Sequence, residues 1–298
     1  MHASDASQPL VTVIIASYNH APYIEASIGS VLAQSYRNIE LLVIDDGSTD
    51  DSVERIRRLQ AQHGFDFRVQ QNRGLTRTLN ESIARARGSL IAPFGSDDIM
   101  LPGRIAVQVA YMADKPEVGI CGGNVEFIHA DGSPYPDSEQ KQRDVPPQRI
   151  GFDDVFLQRK PVPPTATLMF RKEALEKVGG FDPEIRLEDV YIWLRITHAG
   201  YLIDRVDALM ARYRKHPTNT YKNLRFMAES LLRTYRDYAD HPAYEAVRCR
   251  LLNSLFVKAS GRDRALAREL LAQLPLRAWN GKTLRGLWRY AFSPVSPD

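Results

Sequence analysis

Between residues 10 and 63 the chain alternates twice between a short apolar segment and a longer segment with helical periodicity. The apolar segments, residues 10–16 and 39–44, are rich in Val, Ile and Leu, as strands buried on both faces are. A polar loop follows each of them, and apolar residues then recur every three or four positions. This alternation predicts an α/β fold, a mostly parallel sheet flanked by helices.

The same pattern continues to about residue 216 and then changes. Residues 131–164 are polar and proline-rich, which predicts a long mobile loop. From about residue 222 the strand pattern stops, and leucines at helical spacing follow. We therefore expect an α/β domain over residues 1–221 and a helical C-terminal extension over residues 222–298. The further strands predicted by the sequence are residues 67–69, 90–92, 118–121, 125–128, 165–170 and 206–213.

Composition and charge exclude several classes of protein. A net charge of +3 over 298 residues argues against a dedicated nucleic-acid binder, whose basic residues usually cluster on one face. The two cysteines, Cys121 and Cys249, form neither a disulfide framework nor a metal-binding pattern. The first residues lack the features of a signal peptide, and no apolar run approaches the ~20 residues that span a bilayer. The sequence therefore predicts a cytoplasmic protein.

The C-terminal segment combines aromatic and basic residues. Residues 276–292 contain Trp279 and Trp288 together with arginines and a lysine. An amphipathic helix of this composition can lie in a membrane interface and make a peripheral contact at the inner face of the membrane. It can equally pack on the domain while its arginines extend into solvent. Both interpretations remain open at this point.

Three pairs of acidic residues each follow a predicted strand or begin a predicted helix. In an open α/β sheet, the loops at the carboxyl ends of the strands converge, so acids distant in sequence can line one cleft. Mg²⁺ and Mn²⁺ prefer oxygen ligands, and the phosphates of a substrate can complete such a shell. Each pair alone could equally cap a helix or a turn. The pairs are Asp45 and Asp46, Asp97 and Asp98, and Glu188 and Asp189.

Six short motifs in order resemble the family-2 glycosyltransferases. The resemblance covers about residues 10–216, and it is the order of the motifs that makes it specific. It implies the GT-A fold, a nucleotide-diphosphate-sugar donor, a divalent metal (Mn²⁺ or Mg²⁺) and inversion at the anomeric carbon. The motifs are VIIASYN at residues 13–19, VIDDGSTD at 43–50, NRG at 72–74, SDD at 96–98, GGFD at 179–182 and ED at 188–189.

The resemblance also implies roles for individual residues. Ser17, Tyr18 and Asp46 would hold the nucleotide base, and Arg73 would lie near the base or the phosphates. The chain departs from the family pattern at Gly95, where an additional Asp often stands. The full expected set for donor binding is Ala16, Ser17, Tyr18, Asn19, Asp46, Arg73, Gly74, Ser96 and Asp97.

Asp97 would contact the ribose, and Asp98 would bind the metal. A third metal ligand is suggested by the residue type of His216, because an imidazole suits Mn²⁺. His216 could instead be an exposed loop residue, and the sequence does not decide between the two. The metal set is therefore Asp98, Asp97 and His216.

Asp189 is the expected general base, with Glu188 as the second candidate. A carboxylate at the start of a helix is stabilised as an anion by backbone N–H groups, which lowers its pKa and weakens it as a base. Burial of the side chain would have to offset that effect.

These features predict an inverting, metal-dependent glycosyltransferase. It would move a sugar from a nucleotide-diphosphate sugar, with UDP as the family default, to a hydroxyl of a glycan or a lipid-linked saccharide in cell-surface polysaccharide synthesis. The alternatives are a nucleotidyltransferase and a catalytically inactive nucleotide-sugar-binding module. The first usually needs a Gly-rich loop with Lys or Arg after the first strand, and residues 17–20 (SYNH) form no such loop.

Overall fold

The computed structural model describes residues 8–185, 187–217 and 223–292. The chain divides into two compact units, which we describe separately. The first unit, the sheet unit, comprises Met1–Glu184 and Ile192–His216, and the second, the helical unit, comprises Ile185–Tyr191 and Pro217–Asp298. The boundary predicted between residues 221 and 222 lies outside the described residues.

In the described residues of the sheet unit, nine strands form one sheet. Their order is β3-β2-β1-β4-β8-β6-β9-β5, and β7 pairs with β9. The strands are β1 (Val11–Ser17), β2 (Ile39–Asp45), β3 (Asp66–Val69), β4 (Leu90–Gly95), β5 (Ile99–Met100), β6 (Val118–Ile128), β7 (Gln148–Ile150), β8 (Met169–Arg171) and β9 (Leu202–Arg214).

The predicted α/β class is confirmed, and the sheet is parallel in the part formed by β1 to β4. Beyond β4 the sheet is mixed, because β8 runs antiparallel to both β4 and β6. The helices that accompany the sheet are α1 (Ile24–Leu32), α2 (Ser52–His63), α3 (Leu75–Arg85), α4 (Arg104–Met112), α5 (Phe152–Phe156), α6 (Lys172–Lys177) and α7 (Glu188–His198), the last of which begins in the helical unit.

Two details differ from the sequence-based expectation. Residues 118–121 and 125–128, predicted as a pair of strands, form the single strand β6 with register shifts against β9. Glycines explain the difference, because a Cβ at Gly123 would lie 2.6 Å from the carbonyl oxygen of Ala208. The glycine permits a close approach of β6 to β9 without interrupting the strand. Of residues 165–170, predicted as one strand, Thr165–Thr167 form a 3₁₀ helix, whereas Met169 and Phe170 lie in the short strand β8.

The proline-rich segment 131–164 contains regular structure as well as loops. It includes β7, which pairs with β9, and the short helix α5. Ile150 and Phe156 are fully buried. These apolar anchors were not recognised in the sequence because they are separated by polar residues, so the segment is not the uninterrupted long loop that was predicted.

A buried arginine joins α4 to the segment before β8. Arg104 is 1% exposed, and its guanidinium donates to the carbonyl oxygens of Ala166 and Leu168 at 2.7 and 2.8 Å. It also donates to Gln108 at 3.0 Å and lies 5.3 Å from the ring centre of Phe94. Burial lowers the pKa of Arg104 to about 9. The planar fork satisfies two carbonyls that would otherwise be buried without donors.

In the described part of the helical unit that follows residue 222, three helices pack around a fourth, α9. Its core includes Leu252, Phe256, Leu266 and Leu270, all almost completely buried. Among the described residues no helix is long and apolar enough to cross a membrane. The helices are α8 (Leu224–Arg236), α9 (Tyr244–Ala259), α10 (Arg264–Ala272) and α11 (Gly281–Phe292).

Replacing Arg104 by lysine tests the importance of the fork, since lysine keeps the charge but cannot reach both carbonyls. We expect the free energy of unfolding to fall by about 2–4 kcal/mol, because a buried polar group loses its partners. Urea denaturation measures this change. The control is Arg57→Lys on the exposed face of α2, where the expected change is below about 0.5 kcal/mol. Equal stability of the two variants would contradict the assigned role.

Candidate functional site

The ends of three neighbouring strands meet at one edge of the sheet. Ala16 in β1 is the register partner of both Ile44 in β2 and Gly95 in β4, and Ser17 is the partner of Asp45. The loops that follow these strands therefore begin side by side. This alignment brings the first, second and fourth predicted motifs together.

The loop after β1 is hydrogen-bonded to the loop after β2. Asn19 has a positive φ of 53°, its N–H donates to the Ser48 hydroxyl at 2.8 Å, and its side-chain oxygen accepts from the Thr49 N–H at 2.8 Å. The Asp45 carboxylate accepts from the Ser48 N–H, as expected for a turn residue. Tyr18, at the tip, is 48% exposed, so its ring is accessible to a ligand.

The side chain of Asp46 holds the loop that contains the third motif. One carboxylate oxygen accepts from the Arg73 N–H and the other from the Gly74 N–H, both at 2.9 Å. The side chain of Gln70 also donates to Asp46 at 2.7 Å. Gly47 lies under this loop with φ of 84°, and a Cβ there would lie 2.8 Å from the Asn72 nitrogen. Asp46, Arg73 and Gly74, predicted to bind the donor, are thus in direct contact.

Ser17 has a buried hydroxyl that is not satisfied within the protein. Its side-chain oxygen has no hydrogen-bond partner among the described residues, although the residue is fully buried. A buried polar atom without a partner costs free energy, and such atoms are rare in folded proteins. The position of this hydroxyl at the end of β1 makes it a candidate for contact with a ligand.

The acidic motif after β4 folds back onto Gly95. A Cβ at that position would lie 2.7 Å from an oxygen of Asp97 and 2.8 Å from an oxygen of Asp98. The two carboxylates therefore occupy the space that a side chain at residue 95 would need. This explains in physical terms why the chain has glycine where the family pattern often has a further acid.

Asp98 is almost completely buried, and its carboxylate is hydrogen-bonded to the protein backbone. One of its carboxylate oxygens accepts from the backbone N–H of Arg214 at 2.8 Å. Burial, and secondarily the charge of Asp97, raise the pKa of Asp98 well above its usual value. The Arg214 guanidinium donates to the Asp97 carbonyl oxygen at 2.7 Å, so the acidic motif is attached to the end of β9.

His20, Asp97 and His216 form a compact cluster, in which one ligand atom from each lies within 4.8 Å of the others. His216 Nε2 is 2.8 Å from an Asp97 oxygen, and His20 Nδ1 is 2.7 Å from the Ser96 hydroxyl. Burial, as the largest effect, lowers the pKa of His20. Tyr23 packs against the His216 ring with ring centres 5.2 Å apart.

The donor atoms of this cluster suit a divalent transition metal. One carboxylate oxygen and two imidazole nitrogens match Mn²⁺ better than Mg²⁺, which prefers oxygen ligands alone. The residues present therefore fit the metal that the resemblance implies. Two of the predicted ligands, Asp97 and His216, are members, whereas Asp98, the next residue after Asp97, is not part of the cluster.

Sequence reasoning missed His20. The residue follows Asn19 at the end of β1, and that position at the sheet edge was the one available signal. A lone histidine in a polar loop has no spacing that marks it as a ligand. Only the folded chain brings His20 close to His216.

Glu188 and Asp189 occupy the first turn of α7, as predicted. Asp189 accepts from the Val190 N–H at 2.7 Å, yet burial raises its pKa to about 6. Burial and the neighbouring Asp189 raise the pKa of Glu188 to about 8. Burial thus outweighs the expected lowering by helix N–H groups. Both residues belong to the helical unit, and a cleft shared with the other acids stays a prediction.

Relatives in other organisms indicate which family these features belong to. An uncharacterized glycosyltransferase, alr2836 of Nostoc sp., is 33% identical over 178 residues, which cover 58% of this chain and 54% of the relative. The chain thus spans about half the length of that relative. The O-antigen biosynthesis glycosyltransferase WbnJ of Escherichia coli is 28% identical over 225 residues, 72% of this chain and 83% of WbnJ.

Solved structures share the fold at low sequence identity. TarS 1-349 of S. aureus in complex with UDP-GlcNAc has a TM-score of 0.62 at 16% identity, covering 94% of this chain and 80% of that one. The mannosyltransferase PcManGT of Pyrobaculum calidifontis, in complex with GDP-Man and Mn²⁺, has a TM-score of 0.59 at 19% identity, covering 96% and 86%. The model of the family "Glycosyl transferase family 2" matches residues 12–179, and the chain therefore belongs to glycosyl transferase family 2.

Proposed function

We propose that the protein is an inverting, metal-dependent glycosyltransferase that uses a nucleotide-diphosphate sugar. The observation that carries the proposal is the cluster of His20, Asp97 and His216 at the edge where β1, β2 and β4 end. A ligand that carries a diphosphate needs positive charge at its phosphates and a polar surface for its nucleoside. A cation held by the cluster would supply the charge, and the adjoining loops offer the polar surface within the same unit of the chain.

The nucleoside would bind the loops after β1 and β2. The buried Ser17 hydroxyl gains a partner there, and the exposed ring of Tyr18 provides a surface on which a base can stack. Asp46 fixes the loop of Arg73 and Gly74 beside them. UDP is our proposal for the nucleotide, supported by the UDP-GlcNAc bound to TarS. GDP is the alternative nucleotide, because PcManGT was solved in complex with GDP-Man.

The metal would be held by Asp97, His216 and His20, with Asp98 alongside. When bound, a divalent cation stabilises the negative charge that develops on the departing nucleoside diphosphate. Asp97 is ready for this role, because its carboxylate contacts His216 and is not used to close a turn. The Ser96 hydroxyl orients the His20 ring through Nδ1, as hydrogen bonds around metal sites commonly do.

Asp189 would accept the proton of the attacking hydroxyl. The acceptor oxygen forms a bond to the anomeric carbon while the bond to the diphosphate breaks, which inverts the configuration. The proton of that hydroxyl passes to the Asp189 carboxylate. A base with a pKa near 6 is ionised at neutral pH and stronger than an ordinary aspartate. Glu188 is the second candidate.

The acceptor would be a glycan or a lipid-linked saccharide in the synthesis of a surface polysaccharide. Support comes from the relative WbnJ, whose name refers to O-antigen biosynthesis. We also propose that the protein acts in the cytoplasm at the inner face of the membrane.

A panel of nucleotide sugars tests the proposed function directly. We expect one of them to be hydrolysed slowly, or transferred to an added acceptor, only when Mn²⁺ is present. Release of the nucleoside diphosphate is the measurement. Binding without release for every member of the panel would favour an inactive binding module, and release of pyrophosphate from a nucleoside triphosphate would favour a nucleotidyltransferase.

Asp97→Asn removes the carboxylate from the metal cluster while preserving its shape. We expect the affinity for Mn²⁺ to fall about 100-fold or more. Mutating a residue that only hydrogen-bonds to a metal ligand already lowers metal affinity about 10–100-fold, and Asp97 would be a ligand itself. Calorimetric titration with Mn²⁺, in the absence of donor, measures it. The exposed Asp240→Asn is the matched control. His20→Gln should reduce the preference for Mn²⁺ over Mg²⁺, which would support nitrogen ligands. Unchanged Mn²⁺ binding by Asp97→Asn would refute the site.

Asp189→Asn tests the general base. We expect the transfer rate to fall by about 10²–10⁴-fold with donor affinity unchanged. In the wild type the rate should fall as pH drops below about 6, because protonation of Asp189 removes the base.

Glu188→Gln serves as the matched variant, because Glu188, with a pKa of about 8, is already protonated near pH 6. It should keep the transfer rate and the midpoint near pH 6. A large loss of rate in Glu188→Gln, combined with a wild-type midpoint near pH 8, would instead identify Glu188 as the base.

A further inference from the structure

Helix α11 has two apolar faces, and only one of them is packed. Thr283 and Gly286 are buried, and Leu287 and Tyr290 pack against the core of the helical unit. A Cβ at Gly286 would overlap the ring of Phe256, so the glycine lets α11 lie close to α9. This face is the one that attaches α11 to the helical unit.

The second apolar face is exposed. Leu284, Trp288 and Phe292 are four residues apart, so they lie along one side of the helix, and they are 63%, 61% and 73% exposed. We call these three residues the outer stripe. The rings of Trp288 and Phe292 contact each other with centres 6.1 Å apart. Leu276, just before the helix, is 77% exposed. Contiguous exposed side chains of this size indicate an interaction surface.

Basic residues border the outer stripe. Lys282, Arg285 and Arg289 are exposed residues of the same helix, and residues 274–292 contain no Asp or Glu. In the described part of the chain, none of these three cations forms an ion pair with an acidic side chain. The exposed surface of α11 is thus apolar along one line and positively charged beside it.

We propose that the outer stripe and its basic border dock α11 in the plane of a membrane that contains anionic lipids. Leu284, Trp288 and Phe292 would enter the boundary between headgroups and acyl chains, where tryptophan is favoured. The cations would contact anionic headgroups. The two interpretations left open by the sequence are then compatible, because the helix packs through one face and docks through the other.

Charge complementarity favours a lipid surface over a second copy of this chain. A symmetric contact through the outer stripe would place the same surface of each copy against the other. It would then bring Arg285 and Arg289 of one copy close to those of the other, with no acid in the helix to offset the repulsion. Anionic headgroups provide the opposite charge.

Co-sedimentation of the full chain with lipid vesicles tests the proposal. Vesicles of phosphatidylcholine alone are compared with vesicles in which about one quarter of the lipid is phosphatidylglycerol, at ~0.1 M and ~1 M salt. We expect binding to the anionic vesicles at low salt and much weaker binding to neutral vesicles or at high salt. Quenching of tryptophan fluorescence by brominated lipid should accompany binding.

Two pairs of variants separate the apolar and the charged contributions. Leu284→Ser and Trp288→Ser should each weaken vesicle binding about tenfold or more, whereas Val107→Ser, at an exposed position of α4, should leave it unchanged. The double variant Arg285→Gln/Arg289→Gln should lose several-fold in affinity and most of the salt dependence. Its control, Arg37→Gln/Arg57→Gln, removes the same charge from exposed positions elsewhere.

Circular dichroism and thermal unfolding establish that the variants are folded. Two outcomes would overturn the proposal: equal binding of wild type and Trp288→Ser to anionic vesicles, or self-association of the wild type that Leu284→Ser abolishes. The test uses no donor and no metal. A negative vesicle result would therefore not contradict the proposed transferase activity. A negative result with the panel of nucleotide sugars would likewise not contradict membrane docking.

Discussion

The parallel register of β1 with β2 and β4 is the constraint on which the candidate site depends. Because Ala16 is opposite both Ile44 and Gly95, three strands end at the same level of the sheet. Three polar loops therefore begin side by side. Asn19 joins the loops after β1 and β2, His20 joins the loop after β1 to Ser96 after β4, and Asp46 binds the neighbouring loop of Arg73. A register shift of one residue would turn each side chain to the opposite face of the sheet and separate these loops.

The acidic motif illustrates how the fold accommodates charge at that edge. Two adjacent carboxylates repel each other, and burial makes the repulsion stronger. Asp98 is held by the backbone N–H of Arg214, and Asp97 is held by His216. Gly95 leaves the space into which both carboxylates fold. A cation bound by Asp97 would further offset the repulsion between these two carboxyl groups.

The sequence predicted those features that depend on local pattern. Strands that are buried on both faces, such as β1 and β2, are recognisable as continuous apolar runs. The polar residues directly after them mark the edge of the sheet. Contacts between distant residues could not be predicted: His20 and His216 meet only through the order of the strands. The same limit applies to Gly123, where a Cβ would lie 2.6 Å from the Ala208 carbonyl oxygen of the neighbouring strand β9.

Two kinds of carboxylate in this chain require opposite environments. A metal ligand must stay ionised, and the Asp97 carboxylate that we propose for this role lies 2.8 Å from His216 Nε2. A general base must hold a proton after accepting it, which burial promotes by raising the pKa values of Asp189 and Glu188. One environment cannot serve both requirements at the same time. In the proposed mechanism the metal ligand and the base therefore come from separate acidic pairs on separate elements, Asp97 after β4 and Asp189 at the start of α7.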